Sequence, residues 1–116
     1  MISLIMPDKL YRGDSISIDC KVDFDISGYI IRCEIFDYYG HSLKLRTPLI
    51  SGIDPQIEIT DDENGEFTIH ITKNTTDYLG LTSQLEIELE DIDGKVVTNY
   101  SDVLKFYERR INWTTN

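Results

Sequence analysis

Residues 16–24 read Ile-Ser-Ile-Asp-Cys-Lys-Val-Asp-Phe, ISIDCKVDF. Ile16, Ile18, Cys20, Val22 and Phe24 occupy one parity; Ser17, Asp19, Lys21 and Asp23 occupy the other. Successive side chains of an extended backbone point to opposite faces. This strict period of two therefore predicts a strand with one face in a core and one in water. Arg12-Gly13-Asp14-Ser15, the tetrapeptide that animal integrins read on extracellular ligands, stands just before it. Here Gly13 is expected to let the backbone turn into the strand, with Asp14 as its polar entry.

The alternation recurs downstream. After the turn signal Asp25-Ile26-Ser27-Gly28, residues 29–37 place Ile31, Cys33 and Ile35 on one face and Arg32 and Glu34 on the other. Asp37-Tyr38-Tyr39-Gly40 closes that run as a turn. Leu43 and Leu45, with Leu49 as a further candidate, share one side of a short segment. Thr47-Pro48 and residues 51–55 interrupt it, which predicts an edge strand and then a loop. Ile57 and Ile59 share a face ahead of Asp61-Asp62-Glu63-Asn64-Gly65, whose Asn-Gly suits a tight hairpin. Phe67, Ile69 and Ile71 then alternate with Glu66, Thr68 and His70.

Residues 73–81 break the pattern. A threonine or asparagine start and Gly80 at the end predict one short helical turn near 74–79. Leu85, Ile87 and Leu89 alternate with Glu86, Glu88 and Glu90 as far as an Asp93-Gly94 hairpin turn. In the last strand, residues 95–108, Val97, Val103 and Tyr107 compete with Leu104 and Phe106 for the inner face. A bulge is therefore expected near Tyr100-Ser101-Asp102. About seven short strands with regular turn signals and no long helix predict an all-β chain, an immunoglobulin-like antiparallel β-sandwich. Residues 1–10 read as an N-terminal arm or edge strand, 11–108 as the sandwich and 109–116 as a C-terminal tail.

Composition narrows the role. With 116 residues, 41% hydrophobic and 28% charged, the chain is one ordinary globular domain by length. A net charge of −10 repels phosphate backbones and anionic membrane surfaces, so neither nucleic acid nor membrane is expected as a partner. The apolar opening ends at Pro7 without a basic segment ahead of it, which is too short for a signal peptide or a span. Folding in a reducing cytoplasm is the expectation, and it weakens both the integrin reading and the three sequons at Asn74, Asn99 and Asn112. Cys20 and Cys33 are read as buried thiols. They would face each other if 14–24 and 29–37 paired as a hairpin, or both enter one core if those strands lie in facing sheets.

No constellation for chemistry emerges. Of the two histidines, His41 falls in a turn and His70 on a polar strand face beside Thr68 and Thr72. No nucleophile elbow or glycine-rich phosphate loop occurs, so no enzyme, catalytic residue or cofactor is expected. The acidic run from Asp61 places Glu66 sixth and Thr72 twelfth, where a calcium loop needs glycine and glutamate, so no metal site is expected either.

Several stretches in order resemble one family. They are Arg12-Gly13-Asp14-Ser15-Ile16-Ser17-Ile18, Asp25-Ile26-Ser27-Gly28-Tyr29, Asn64 to Ile69, the threonine-rich Asn74 to Leu79, and Glu88 to Val96. Together they resemble the immunoglobulin-like domain at the N-terminus of phage baseplate upper proteins and related tail proteins, over residues 12–107. Leu81-Thr82-Ser83-Gln84 departs from the family's Gly-x-Tyr approach to the penultimate strand. The resemblance implies a non-enzymatic virion protein of a tailed phage (tail, baseplate, neck or decoration subunit), made in the bacterial cytoplasm. It would dock to other virion subunits and be oligomeric or present in many copies. The expected contacts are Ile2 and Leu4, on a segment suited to strand exchange, and Arg109, Arg110 and Trp113 in the tail. The alternative is a host-surface or glycan-binding module using Tyr38 and Tyr39.

Overall fold

The structure, a computed structural model, describes residues 2–47, 56–73, 76 and 79–108. Among them run nine strands: β1 (Ser3–Ile5), β2 (Leu10–Tyr11), β3 (Ile16–Lys21), β4 (Ile30–Asp37), β5 (Ser42–Arg46), β6 (Gln56–Asp61), β7 (Glu66–Ile71), β8 (Thr82–Glu90) and β9 (Val96–Tyr107). One sheet has the order β1-β3-β7-β6 and the other β2-β9-β8-β4-β5. Every pairing is antiparallel except β2 with β9, where Leu10 lies beside Phe106. The sets β1-β3-β7-β6 and β4-β8-β9 match the ABED and CFG sheets of an immunoglobulin domain, with β5 added outside C.

The alternating segments face each other across the core. Ile16, Ile18 and Cys20 of β3 and Phe67, Ile69 and Ile71 of β7 meet Ile31, Cys33 and Ile35 of β4 and Leu85, Ile87 and Leu89 of β8, all buried. Each such aliphatic side chain contributes about 1.5–3 kcal/mol of burial free energy. That gain holds the two sheets together. Because β3 and β4 belong to different sheets, the two thiols enter the core from opposite sides, and both are free. Burial, reinforced by Asp19, pushes the Cys20 thiol up to about 12, and burial raises Cys33 as well. Neither forms appreciable thiolate at neutral pH, so these are packing residues.

Two expectations need correction. Nine strands replace about seven, because residues 3–5 and 10–11 join the two sheets, with Ile2 and Leu10 in the core. Strands of two or three residues are too short for periodicity to register. The β9 register runs unbroken from Thr98 to Lys105, and the irregularity sits instead at Val96, opposite Glu90. Leu104 and Phe106 turn inward, whereas Val103 and Tyr107 are exposed. The polar stretch needs no bulge because β2 covers only the end of β9, leaving Asp102 exposed with the Tyr100 hydroxyl donating to it at 2.9 Å. Ile57 and Ile59 do share a face, opposite Ile69 and Phe67, although Ile59 is partly exposed where the β6 register slips between Ile59 and Asp61. The expected turn is present, with Tyr29 N–H donating to the Ile26 carbonyl at 3.0 Å, and Ile26 itself is fully buried where the chain crosses between sheets.

Of the helical turn expected near 74–79, the described part is the bond from Thr76 N–H to the Thr72 carbonyl, 3.1 Å, an i to i−4 link. Asn74, Thr75, Asp77 and Tyr78 lie outside the described residues, as does Leu49.

Candidate functional site

Strand direction sorts the turns to two ends of the sandwich. One end gathers the turn at 11–14, the β4–β5 turn at 38–41, Gly80-Leu81 ahead of β8, and Glu108 after β9. The other gathers residues 22–29, the β6–β7 hairpin and the β8–β9 hairpin. Bonds from Val22 N–H to the Gly65 carbonyl and from Ile26 N–H to the Asp62 carbonyl tie that second group together.

The first end is organised by Asp37, the last residue of β4, whose side chain is fully shielded from solvent. Its Oδ1 accepts the N–H groups of Tyr39 and His41, each at 2.9 Å. Its Oδ2 accepts the Gly80 N–H at 2.8 Å and stands 2.7 Å from His41 Nδ1, which carries the proton because an ionised carboxylate only accepts. Burial alone would raise its pKa. The bonds from His41, Gly80 and Tyr39 outweigh that and hold the carboxyl well below the usual carboxylate range. One carboxylate thus fixes the whole β4–β5 turn and clamps it to the approach of β8.

The clamp presents two aromatic rings to solvent. Tyr38 is 71% and Tyr39 81% exposed. A side-chain carbon at Gly80 would lie 3.1 Å from the Tyr39 ring, so that ring leans on bare backbone. Beside it opens a groove of about 620 Å³, lined by Tyr38, Tyr39, His41, Leu81, Thr82 and Arg12. Arg12 reaches it from the turn that starts β3's approach. Asp14 N–H donates to the Tyr11 carbonyl, and Gly13 at the third position has φ +82°, as a type II turn requires. The Arg12 guanidinium is held by Glu108 at 2.9 Å, and Gly13 N–H donates to the buried Thr76 hydroxyl at 3.1 Å. Arg12-Gly13-Asp14 is thereby packed into the sandwich end instead of projecting as an adhesion loop.

A second groove, about 720 Å³, runs along the outer face of the five-stranded sheet. Cross-strand rows there oppose like charges, Arg32 to Arg46 and Glu34 to Glu86, which is unfavourable by itself. Arg32 offsets this by bonding Glu90 at 2.9 Å and Glu88 at 3.4 Å. The result is a solvated charged face without a convergent centre.

The outer face of the other sheet carries an alignment that the sequence did not reveal. Ser17 Oγ lies 3.0 Å from His70 Nδ1, and His70 Nε2 lies 2.9 Å from Glu58 Oε1. A serine–histidine–carboxylate order resembles a nucleophilic triad. Its surroundings do not: His70 and Glu58 are broadly exposed on an open sheet face, and β3, β7 and β6 pair their backbones in ladders on either side. The N–H groups of β3 and β7 beside His70 are committed to the ladders and do not converge as an oxyanion would need. The row is a polar cross-strand ladder, contributing about 0.2–1 kcal/mol per contact.

Among the described residues, no three His, Cys, Asp or Glu side chains converge as a metal would need. The acidic turns are satisfied locally: Asp91 Oδ1 accepts from Asp93 and Lys95 N–H, and Asp61 binds Asn64. Of the expected contact residues, Ile2 is buried in the chain's own core and Leu4 is half-buried on β1, at the edge of its sheet. Arg109, Arg110 and Trp113 lie outside the described residues. Asp37 falls in an expected turn, and its parity with Ile31, Cys33 and Ile35 is the sequence signal that it points inward. In comparisons with known proteins, no family model matches the chain and no curated protein matches it.

Proposed function

We propose that the chain is a non-enzymatic structural module of a tailed-phage virion, an immunoglobulin-like sandwich that docks other virion subunits. The observation that carries the docking part is the end built on Asp37. Two exposed tyrosines stand beside a groove on a turn that one carboxylate pins through four bonds, from the Tyr39, His41 and Gly80 N–H groups and the His41 ring, so the turn is preorganised before a partner arrives. A preorganised surface loses little entropy on binding, and exposed tyrosines are favoured contact residues. Strands β1, β5 and β6, which stand at sheet edges among the described strands, offer a second mode, backbone pairing with a neighbour's strand. The phage assignment rests on the sequence resemblance, with which the immunoglobulin-like topology agrees. Mass spectrometry of particles purified from an infection in which the gene is expressed is the direct test. The protein is expected in the particles in fixed ratio to other structural proteins; its absence would overturn the assignment.

The exposure of Tyr38 and Tyr39 in one turn favours a second reading, a host-surface glycan module. Binding to bacterial envelope polysaccharide, lost on Tyr38/Tyr39→Ala, is its expected signature. No binding by the unaltered protein would remove it.

A further inference from the structure

The two ends of the sandwich differ in a way that makes one the complement of the other. At the second end the β8–β9 hairpin projects Ile92, which is 76% exposed and flanked by Asp91 and Asp93. This apolar tip is held in place. Asp91 Oδ1 accepts from Asp93 N–H at 3.0 Å and Lys95 N–H at 2.9 Å, and Gly94 N–H donates to the Asp91 carbonyl at 3.0 Å. A side-chain carbon at Gly28 would fall 2.8 Å from Ile92 Cγ2, so Ile92 rests against the bare backbone of the neighbouring loop. At the first end, the groove beside Tyr39 has apolar walls from Tyr38, Tyr39 and Leu81, with Arg12 and His41 at its margin. In a chain with 21 acidic residues against 11 basic ones, none of the described residues lining this groove is acidic, while Arg12 and His41 are bonded to Glu108 and Asp37.

We propose that a second copy of this chain occupies the groove. Its hairpin tip inserts Ile92 between Tyr39 and Leu81, with Asp91 and Asp93 towards Arg12 and His41, which they share with Glu108 and Asp37. The inference rests on reading the Asp37 end as a docking surface, and it names the partner. A groove of about 620 Å³ is far larger than one isoleucine side chain, which leaves volume for the turn that carries it. Both surfaces are fixed by their own hydrogen bonds, so joining them orders little chain. Because knob and groove sit at opposite ends, the contact is heterologous. Each contact leaves one copy with a free groove and the other with a free knob, so copies add end to end into a ring or a filament. The 27 × 25 Å cross-section restricts the contact to the small end of specific interfaces. Association of isolated chains is therefore weak, with a Kd of about 10 µM to 1 mM, and becomes stable only where a scaffold concentrates the copies.

Sedimentation velocity in physiological salt, on the unaltered chain and two single variants, tests the contact. The unaltered chain is expected to sediment faster with rising concentration, without a fixed end point. Ile92→Asp removes the knob and Tyr39→Ala opens the groove; each is expected to weaken self-association at least about tenfold. Both sites are exposed, and an unchanged circular dichroism melt confirms that each variant is folded. Mixing the two variants discriminates further. Tyr39→Ala keeps its knob and Ile92→Asp keeps its groove, so the mixture is expected to form a one-to-one dimer and stop there. An unaltered chain that stays monomeric at about 1 mM overturns the proposal. So does a mixture that stays monomeric, or association that neither variant weakens. A monomer that binds envelope polysaccharide through Tyr39 would instead give the groove to a glycan. Particle mass spectrometry is independent of these outcomes: a monomer found in virions sinks this contact alone, and an associating protein absent from virions sinks the virion role alone.

Discussion

The two ends of the sandwich use the same functional group in opposite ways. At one, the Asp37 carboxylate is buried and joins residues far apart in sequence, reaching Gly80 across 43 positions. At the other, the described bonds of Asp61 and Asp91 are to residues within four positions and leave these acids near water. A buried carboxylate must be fully satisfied, so it dictates the arrangement around it. A solvated carboxylate in a turn shapes only that turn. The aromatic end is therefore coupled to the whole fold, whereas the acidic end is locally built, with backbone contacts carrying what coupling it has.

The largest expected effect tests that last clause. Gly65 has φ +73° and is buried in the β6–β7 hairpin. A side-chain carbon there would strike the Val22 carbonyl oxygen and come within 2.6 Å of the Phe24 carbonyl oxygen. The left-handed backbone costs alanine about 1–2 kcal/mol. The clash with main chain adds to it, so Gly65→Ala is expected to lose about 3 kcal/mol or more in urea unfolding. A loss below about 1 kcal/mol would mean that the hairpin moves independently of residues 22–24.

The next effect, at the aromatic end, is Asp37→Asn. The amide keeps one acceptor and turns a donor towards N–H groups, so a loss of about 2–3 kcal/mol at neutral pH is expected. The pH dependence supplies the sign. The folded pKa is depressed below the ordinary 3.8, so the stabilisation is fully present above that value. It is lost as pH falls through the folded value, which lies lower still. The stability gap between the unaltered protein and Asp37→Asn should thus narrow as pH drops from about 4 towards 2. A gap independent of pH would assign the effect to geometry rather than to the charge.

Much of this was legible in the sequence because it depends on parity. The faces of β3, β4, β7 and β8 follow from alternation, since a one-residue error would expose an entire apolar row. The β9 face was not legible. Val103 and Tyr107 are as apolar as Leu104 and Phe106, and only the unbroken pairing with β8 selects between them. β1 and β2 escaped because two or three residues carry no period. The candidate site was legible only in part. Tyr38 and Tyr39 stood out as adjacent aromatics, but the groove also needs Arg12 and Leu81, which only the fold brings beside them. Likewise, nothing local indicates that Gly80 N–H completes the shell of Asp37.

The smallest expected effect sharpens the comparison through charge alone. Glu63 lies exposed in the acidic hairpin next to Asp61 and Asp62, whereas Glu108 at the other end holds Arg12 at 2.9 Å. Glu63→Lys relieves repulsion among acids and is expected to stabilise by less than about 0.5 kcal/mol. Glu108→Lys replaces an ion pair with two adjacent cations and should destabilise by a similarly small amount. The same substitution therefore changes sign with its place in the fold. Urea midpoints at about 0.02 M and 0.5 M salt separate charge from shape, because screening over a few ångströms should shrink both shifts towards zero. Two shifts of the same sign would show that net charge, not its division between the ends, governs stability, and the contrast between the ends would then lie in geometry alone.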